Sequence, residues 1–172
     1  VKVFAIQGET GTVLVDTGTA NRADHILDTL ATHGIAPEDV KLILLTHGHS
    51  DHTGSAGELK ARTGAPLAIH AGDLGMVNSS AERPAQLTHT VWWLKPLLGL
   101  MNSSTTRKPD HDIEPDIVFD APWRTDKYGV AGEVIPTPGH SAGSSTLLLD
   151  SGEAFVGDIL MGNFLNPNRL NG

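Results

Sequence analysis

Cysteine is absent from the 172-residue sequence, which removes disulfides, thiolate-ligated zinc, iron–sulfur clusters and thiol nucleophiles from the possible chemistries. Basic residues are scarce: 12 Lys and Arg stand against 20 Asp and Glu, a formal net charge of −8. Phosphate backbones are bound by a basic face, and the two-residue step Arg107-Lys108 is too short to make one, so no nucleic-acid partner is expected. Long apolar runs are missing too. A membrane span needs roughly 20 apolar residues, and the longest candidate, Val91 to Met101, is interrupted by Lys95 and Pro96. No signal peptide is visible. With no cysteine and no leader, the expected location is cytoplasmic. The chain starts at Val1 without an initiator Met, so a clipped start is expected.

The residues that are present describe a globular protein. A hydrophobic fraction of 39% with 19% charged residues is ordinary for a water-soluble domain, and the length suits one domain, 1–172, with a real core. Val3 to Ile6 and Thr12 to Val15 read as a hairpin around Gly8 and Gly11. Apolar spacing over Arg22 to His33 predicts a helix, with Asn21 as its N-cap and Gly34 just past its end. Lys41 to Leu45 predicts a strand buried on both faces, Ser55 to Thr63 a helix closed by Gly64, and Pro66 to His70 another strand. Strands are also expected at Ile117 to Phe119, Glu133 to Ile135, Ser145 to Leu149 and Ala154 to Val156, with a tight turn at Asp150-Ser151-Gly152. The region from Ala71 is weakly patterned, and the tail Asn163 to Gly172 shows no element. The pattern is mixed α/β (α+β), with an insertion or lid expected around 87–116; within it Val91 to Met101 reads either as a core helix interrupted at Pro96 or as an apolar lid anchored by Trp92 and Trp93.

Nine His occur, and three of them fall in the run His47-Gly48-His49-Ser50-Asp51-His52. Imidazoles at alternating positions after a strand can point the same way and take one cation; Gly48 and Ser50 permit a tight turn between them. Asp51 and His52 leave that turn in another direction, where they can take a second cation or hold a water. Two further strand ends deliver ligand types that suit zinc: Pro138-Gly139-His140-Ser141 and Gly157-Asp158. Ser141, Ser144 and Ser145 are expected to hydrogen-bond the turn after His140. His70, His25, His33, His89 and His111 are read as structural or solvated.

Four segments in this order carry a resemblance: Leu14-Val15-Asp16-Thr17-Gly18, Thr46-His47-Gly48-His49-Ser50-Asp51-His52, Thr137-Pro138-Gly139-His140-Ser141-Ala142-Gly143-Ser144 and Val156-Gly157-Asp158. Together they resemble the metallo-β-lactamase-fold superfamily over nearly the whole chain. The resemblance implies an αββα four-layer sandwich, incomplete at the C-terminus, with a metal site at the sheet edge. It implies that His47, His49 and His140 hold one metal, that Asp51 and His52 hold a second, that Asp158 bridges them, and that Asp16 supports the site without binding metal. The superfamily normally supplies one more His after the bridging Asp, on a late strand; none follows His140 here, and a missing C-terminal part is expected to hold it. The implied activity is a hydrolase with one or two Zn2+ ions, using a zinc-bound hydroxide to cleave an ester, thioester or lactone-type bond in a small-molecule substrate, with Asp51 orienting the nucleophile or taking its proton. The stretch Thr137 to Ser144 resembles the thioester- and lactone-cleaving branches. Two other readings remain open: a mono-iron persulfide dioxygenase with Fe2+ in the same site, and a catalytically incomplete metal-binding fragment.

Overall fold

A computed structural model of the chain describes residues 1–77, 113–163 and 166–171. The expected hairpin forms from β1 (Phe4–Gln7) and β2 (Thr12–Val15), paired antiparallel, with Gly8 N–H donating to Gly11 O at 2.9 Å across the turn. Three strands then add in parallel: β3 (Val40–Leu44), β4 (Leu67–His70) and β5 (Ile117–Phe119), giving a five-stranded sheet in the order β1-β2-β3-β4-β5. Parallel neighbours need a crossover, and the first is α1 (Ala23–Thr32). The next is made by α2 (Ser50–Thr53) and α3 (Ala56–Thr63). Beyond β4 come a single 3-10 turn, Ala71–Asp73, and α4 (Leu74–Val77).

Alternation along the strands divides the core in two, because successive side chains leave opposite faces. Leu14, Ile43, Leu67 and Ile69 face the helices, where Ile26, Leu27 and Leu30 of α1 and Leu59 of α3 meet them. Val13, Val15, Leu42, Leu44 and Ala68 face the other way, onto Val134 and Leu147. Those two residues belong to a second, antiparallel sheet of β6 (Trp123–Arg124), β7 (Gly132–Pro136), β8 (Ser145–Leu149) and β9 (Ala154–Phe155), in that order. A helix layer, a mixed sheet and an antiparallel sheet are therefore stacked in sequence, as the αββ part of the expected sandwich requires. Among the described residues no α-helix contributes to the second core, so the fourth layer is not part of the structure described.

Several details differ from the expectation. Arg22, not Asn21, is the residue before α1; Asn21 sits at φ 62°, a left-handed turn conformation that Asn tolerates. The tail read as featureless contains a two-stranded ribbon of β10 (Met161–Asn163) and β11 (Asn166–Asn171). Residues 1–78 and 109–172, from either side of the intervening segment, form one compact unit. Of the region expected as an insertion or lid, residues 113–116 are described: Ile113 is buried in the helix-side core, and the Asp116 carboxylate accepts from Leu67 N–H (2.8 Å) and Lys60 Nζ (2.9 Å). Trp92, Trp93, His89, His111, Arg107 and Lys108 lie outside the described residues.

Candidate metal centre

Each group of the candidate centre follows the end of a strand. Asp16 follows β2, His47 follows β3, His140 lies in the loop after β7, and Asp158 lies in the turn after β9. The two sheets are joined at this edge: Ser145 N–H, at the start of β8, donates to Thr46 O at 2.8 Å. His49 precedes α2 and is half-buried, while Asp51 and His52 ride on α2, one half-exposed and the other buried.

Three rings meet edge to face. His47, His49 and His140 have pairwise centroid distances of 4.8 Å and interplanar angles of 90°, 89° and 81°. Edge-on rings aim nitrogens, not faces, at a shared centre. One ring nitrogen from each of these three lies within 4.8 Å of the others, and His47, His52 and an Asp158 oxygen form a second such group. Around a tetrahedral ion with bonds of about 2.0–2.1 Å, neighbouring donors stand about 3.3 Å apart. The distances here bracket that value: 2.9 Å between His140 Nε2 and His49 Nδ1, 3.3 Å between His52 Nε2 and Asp158 Oδ1, and 3.8 Å between His140 Nε2 and Asp158 Oδ2. The Asp158 carboxylate thus lies between His52 and His140. Asp51 Oδ2 is 4.0 Å from His52 Nε2, and Asp51 belongs to neither group.

Hydrogen bonds on the far side of the rings set their tautomers. Thr46 Oγ1 donates to the Asp16 carboxylate (2.9 and 3.0 Å) and stands 3.0 Å from His47 Nδ1. With its proton committed to Asp16, that oxygen accepts from His47 Nδ1–H, which leaves the lone pair of His47 on Nε2. His52 Nδ1–H donates to Asp16 Oδ2 at 2.8 Å, so its lone pair is on Nε2 as well. Both Nε2 atoms are buried and have no hydrogen-bond partner. A buried polar atom left unpartnered is costly, and two imidazole lone pairs beside a carboxylate suit a divalent cation. The residues present therefore fit a metal ion. Burial, then the neighbouring His52, pushes the His47 pKa down to about 4, which keeps the ring neutral and able to ligate. For His52 burial acts downward, but the hydrogen bond to Asp16 and the charges of Asp16, Asp158 and Asp51 outweigh it and raise the pKa.

The remaining expected residues have plain positions. His25 and His33 are exposed on or beside α1, and His70 Nδ1 accepts from Gly72 N–H (3.0 Å) with its ring against Phe119. Ser141 and Ser144 bond one another (2.8 Å), and Ser144 Oγ accepts from Ser141 N–H (2.9 Å), closing the turn after His140. Sequence reasoning missed Asp73. It is 1% exposed, and its carboxylate accepts from Gly48 N–H, Ser141 Oγ–H and Gly143 N–H. Its position three residues past the end of β4 is the one signal that could have drawn attention to it.

Known proteins are similar to this chain in sequence and in fold. Over 151 residues the chain is 27% identical to the probable metallo-hydrolase YflN of Bacillus subtilis, covering 84% of this chain and 53% of that protein. A shorter stretch of 47 residues is 55% identical to metallo-beta-lactamase domain-containing protein 1 of Rattus norvegicus, covering 27% of this chain and 19% of that protein. The fold matches that of the metallo-beta-lactamase MIM-1 from Novosphingobium pentaromativorans with a TM-score of 0.64 at 26% identity, covering 88% of this chain and 52% of that one. The chain thus spans about half the length, or less, of these relatives. Residues 1–165 match the metallo-beta-lactamase superfamily as a whole, and the chain belongs to that family.

Proposed function

We propose that this chain carries the metal-binding centre of a zinc-dependent hydrolase acting on an ester, thioester or lactone-type bond in a small molecule. The observation that carries the reading is the pair of buried Nε2 lone pairs, on His47 and His52, oriented from behind by Thr46 and Asp16 and facing Asp158. His47, His49 and His140 would hold one ion, and His52, Asp51 and Asp158 would serve a second. When bound, zinc supplies Lewis acidity: a coordinated water ionises near pH ~7 and a carbonyl oxygen is polarised. The chain supplies the rest. Asp51, half-exposed at the rim, orients the attacking water and takes its proton on a carboxylate oxygen. The hydroxyls of Ser141, Ser144 and Ser145 are engaged within their own loop and with Asp73, which leaves water as the nucleophile.

The test is a metal count on purified protein, alongside turnover of a thioester, a lactone, a phosphodiester and a β-lactam by the same sample. His49→Ala is expected to lose both bound zinc and turnover. Full activity in a metal-free His49→Ala protein overturns the reading. A second reading rests on the group His47, His52 and Asp158, two imidazoles and one carboxylate, which is also the donor set of mononuclear Fe(II) oxygenases. Iron in the purified protein, with oxygen consumed in the presence of a persulfide, would favour it.

A further inference from the structure

Two loops carry the imidazoles, and they lie far apart in the chain: His49 and His140 are separated by 91 positions. Their nitrogens nevertheless stand 2.9 Å apart, a spacing that side-chain rotamers alone do not secure when the backbones beneath are free to shift. The backbones are joined by one carboxylate. Asp73 Oδ2 accepts from Gly48 N–H at 2.8 Å and from Ser141 Oγ–H at 2.6 Å, and Oδ1 accepts from Gly143 N–H at 2.8 Å. Gly48 lies between His47 and His49, and Ser141 is next to His140. The contact is close on both sides. A Cβ on Gly48 would come within 3.1 Å of Asp73 Cβ, and one on Gly143 within 2.7 Å of Asp73 Cγ. Glycine is required at both places so that the two loops can reach the same side chain.

We propose that Asp73 is a positioning residue for the metal centre: by bonding both loops it sets the separation of His49 and His140. This rests on the reading that those imidazoles hold a metal. Asp73 touches none of the expected ligand atoms in the bonds just described; it acts through the main chain and one hydroxyl. Asp73→Asn keeps the volume but turns an amide NH2 toward a site that offers three donors, so at least one bond is lost.

The experiment measures zinc affinity of the full chain by competition with a chromophoric chelator, and the visible absorption of the Co(II)-substituted protein. Partners that orient metal ligands typically contribute about 10–100-fold in affinity. The expected result is a zinc Kd about 10–100-fold weaker for folded Asp73→Asn, with an altered cobalt spectrum. Ile26→Ala on α1, a distant core variant, serves as a control for general destabilisation and is expected to keep wild-type affinity. Amide hydrogen exchange at Gly48 and Gly143 in metal-free protein gives a readout independent of any ion, and is expected to quicken in Asp73→Asn. Where Asp73→Asn fails to fold, Ser141→Ala decides, with weakened zinc binding expected. Unchanged affinity and spectrum in either folded variant, or an equal loss in Ile26→Ala, overturns the proposal. Failure of the metal reading looks different: wild-type protein itself takes up no zinc, and this proposal falls with it.

Discussion

Two adjacent imidazoles are tuned in opposite directions by their surroundings, and each leaves its own mark on stability. Burial and His52 hold the His47 pKa near 4, so the folded chain refuses a proton that the unfolded chain accepts between pH 6.5 and about 4. Its contribution is present above pH 6.5 and is lost as pH falls. For His52 burial is outweighed by the bond to Asp16 and the carboxylates around it, so its folded pKa lies above 6.5. That contribution is complete below pH 6.5 and is lost as pH rises through the folded value. Together these two groups give metal-free protein a stability maximum near pH 6.5. Urea midpoints measured across that pH in the presence of a chelator check this; a curve without curvature there contradicts it. Because the proton on His52 must leave before Nε2 can ligate, zinc uptake is expected to release protons and to weaken as pH falls, which unbuffered titration with a pH indicator would record. At this scale the residues of the candidate centre stand out in the sequence by type and spacing, and the structure brings donor atoms of His47, His49 and His140, and of His47, His52 and Asp158, within 4.8 Å of one another. Asp73 and Thr46 do not stand out. Their roles come from hydrogen-bond geometry, and Asp73 meets partners 25, 68 and 70 positions away, which no local pattern encodes.

Among the elements, the strands with continuous apolar runs carry the stability. Leu44 of β3 is fully buried between the sheets, whereas Lys41 of the same strand points to solvent. Leu44→Ala is expected to cost about 2–5 kcal/mol in unfolding free energy and Lys41→Ala less than about 0.5 kcal/mol, as read by urea denaturation. Gly64 ends α3 at φ 70°, where a side chain strains the left-handed turn, so Gly64→Ala is expected to cost about 1 kcal/mol. These elements were readable because periodicity and glycine stops coincide in them. The elements that escaped are short or polar. α2 has four residues, all polar or charged and two of them, Asp51 and His52, from the candidate centre, and β6 has two. β11, with the sequence Asn-Pro-Asn-Arg-Leu-Asn, is held by its pairing with β10 and not by strand propensity.

For the molecule as a whole, a candidate site assembled from both sheets would link metal retention to global stability. Saturating zinc at about 100 times its Kd adds about 2.7 kcal/mol to the folded state. Thermal unfolding of wild-type protein with zinc and with chelator should therefore differ by several degrees, and His49→Ala should erase the difference. Equal midpoints in the two conditions would mean that zinc does not bind the folded chain, and a difference that persists in His49→Ala would place the ion outside the centre built from His47, His49 and His140. The mixed α/β class was legible from the apolar strands and the helical spacing, whereas the layered sandwich was implied only by the resemblance to the family, because local patterns do not say which sheet a strand joins.

The distance in sequence between the two halves of the centre also bears on biosynthesis. As the nascent chain leaves the ribosome, the histidine-rich turn after β3 emerges some ninety residues before its counterpart at position 140, and Asp158 comes later still. A cation bound at that stage would have only the imidazoles and the carboxylate of the early turn to hold it, and the full donor set would exist only once the second sheet is made.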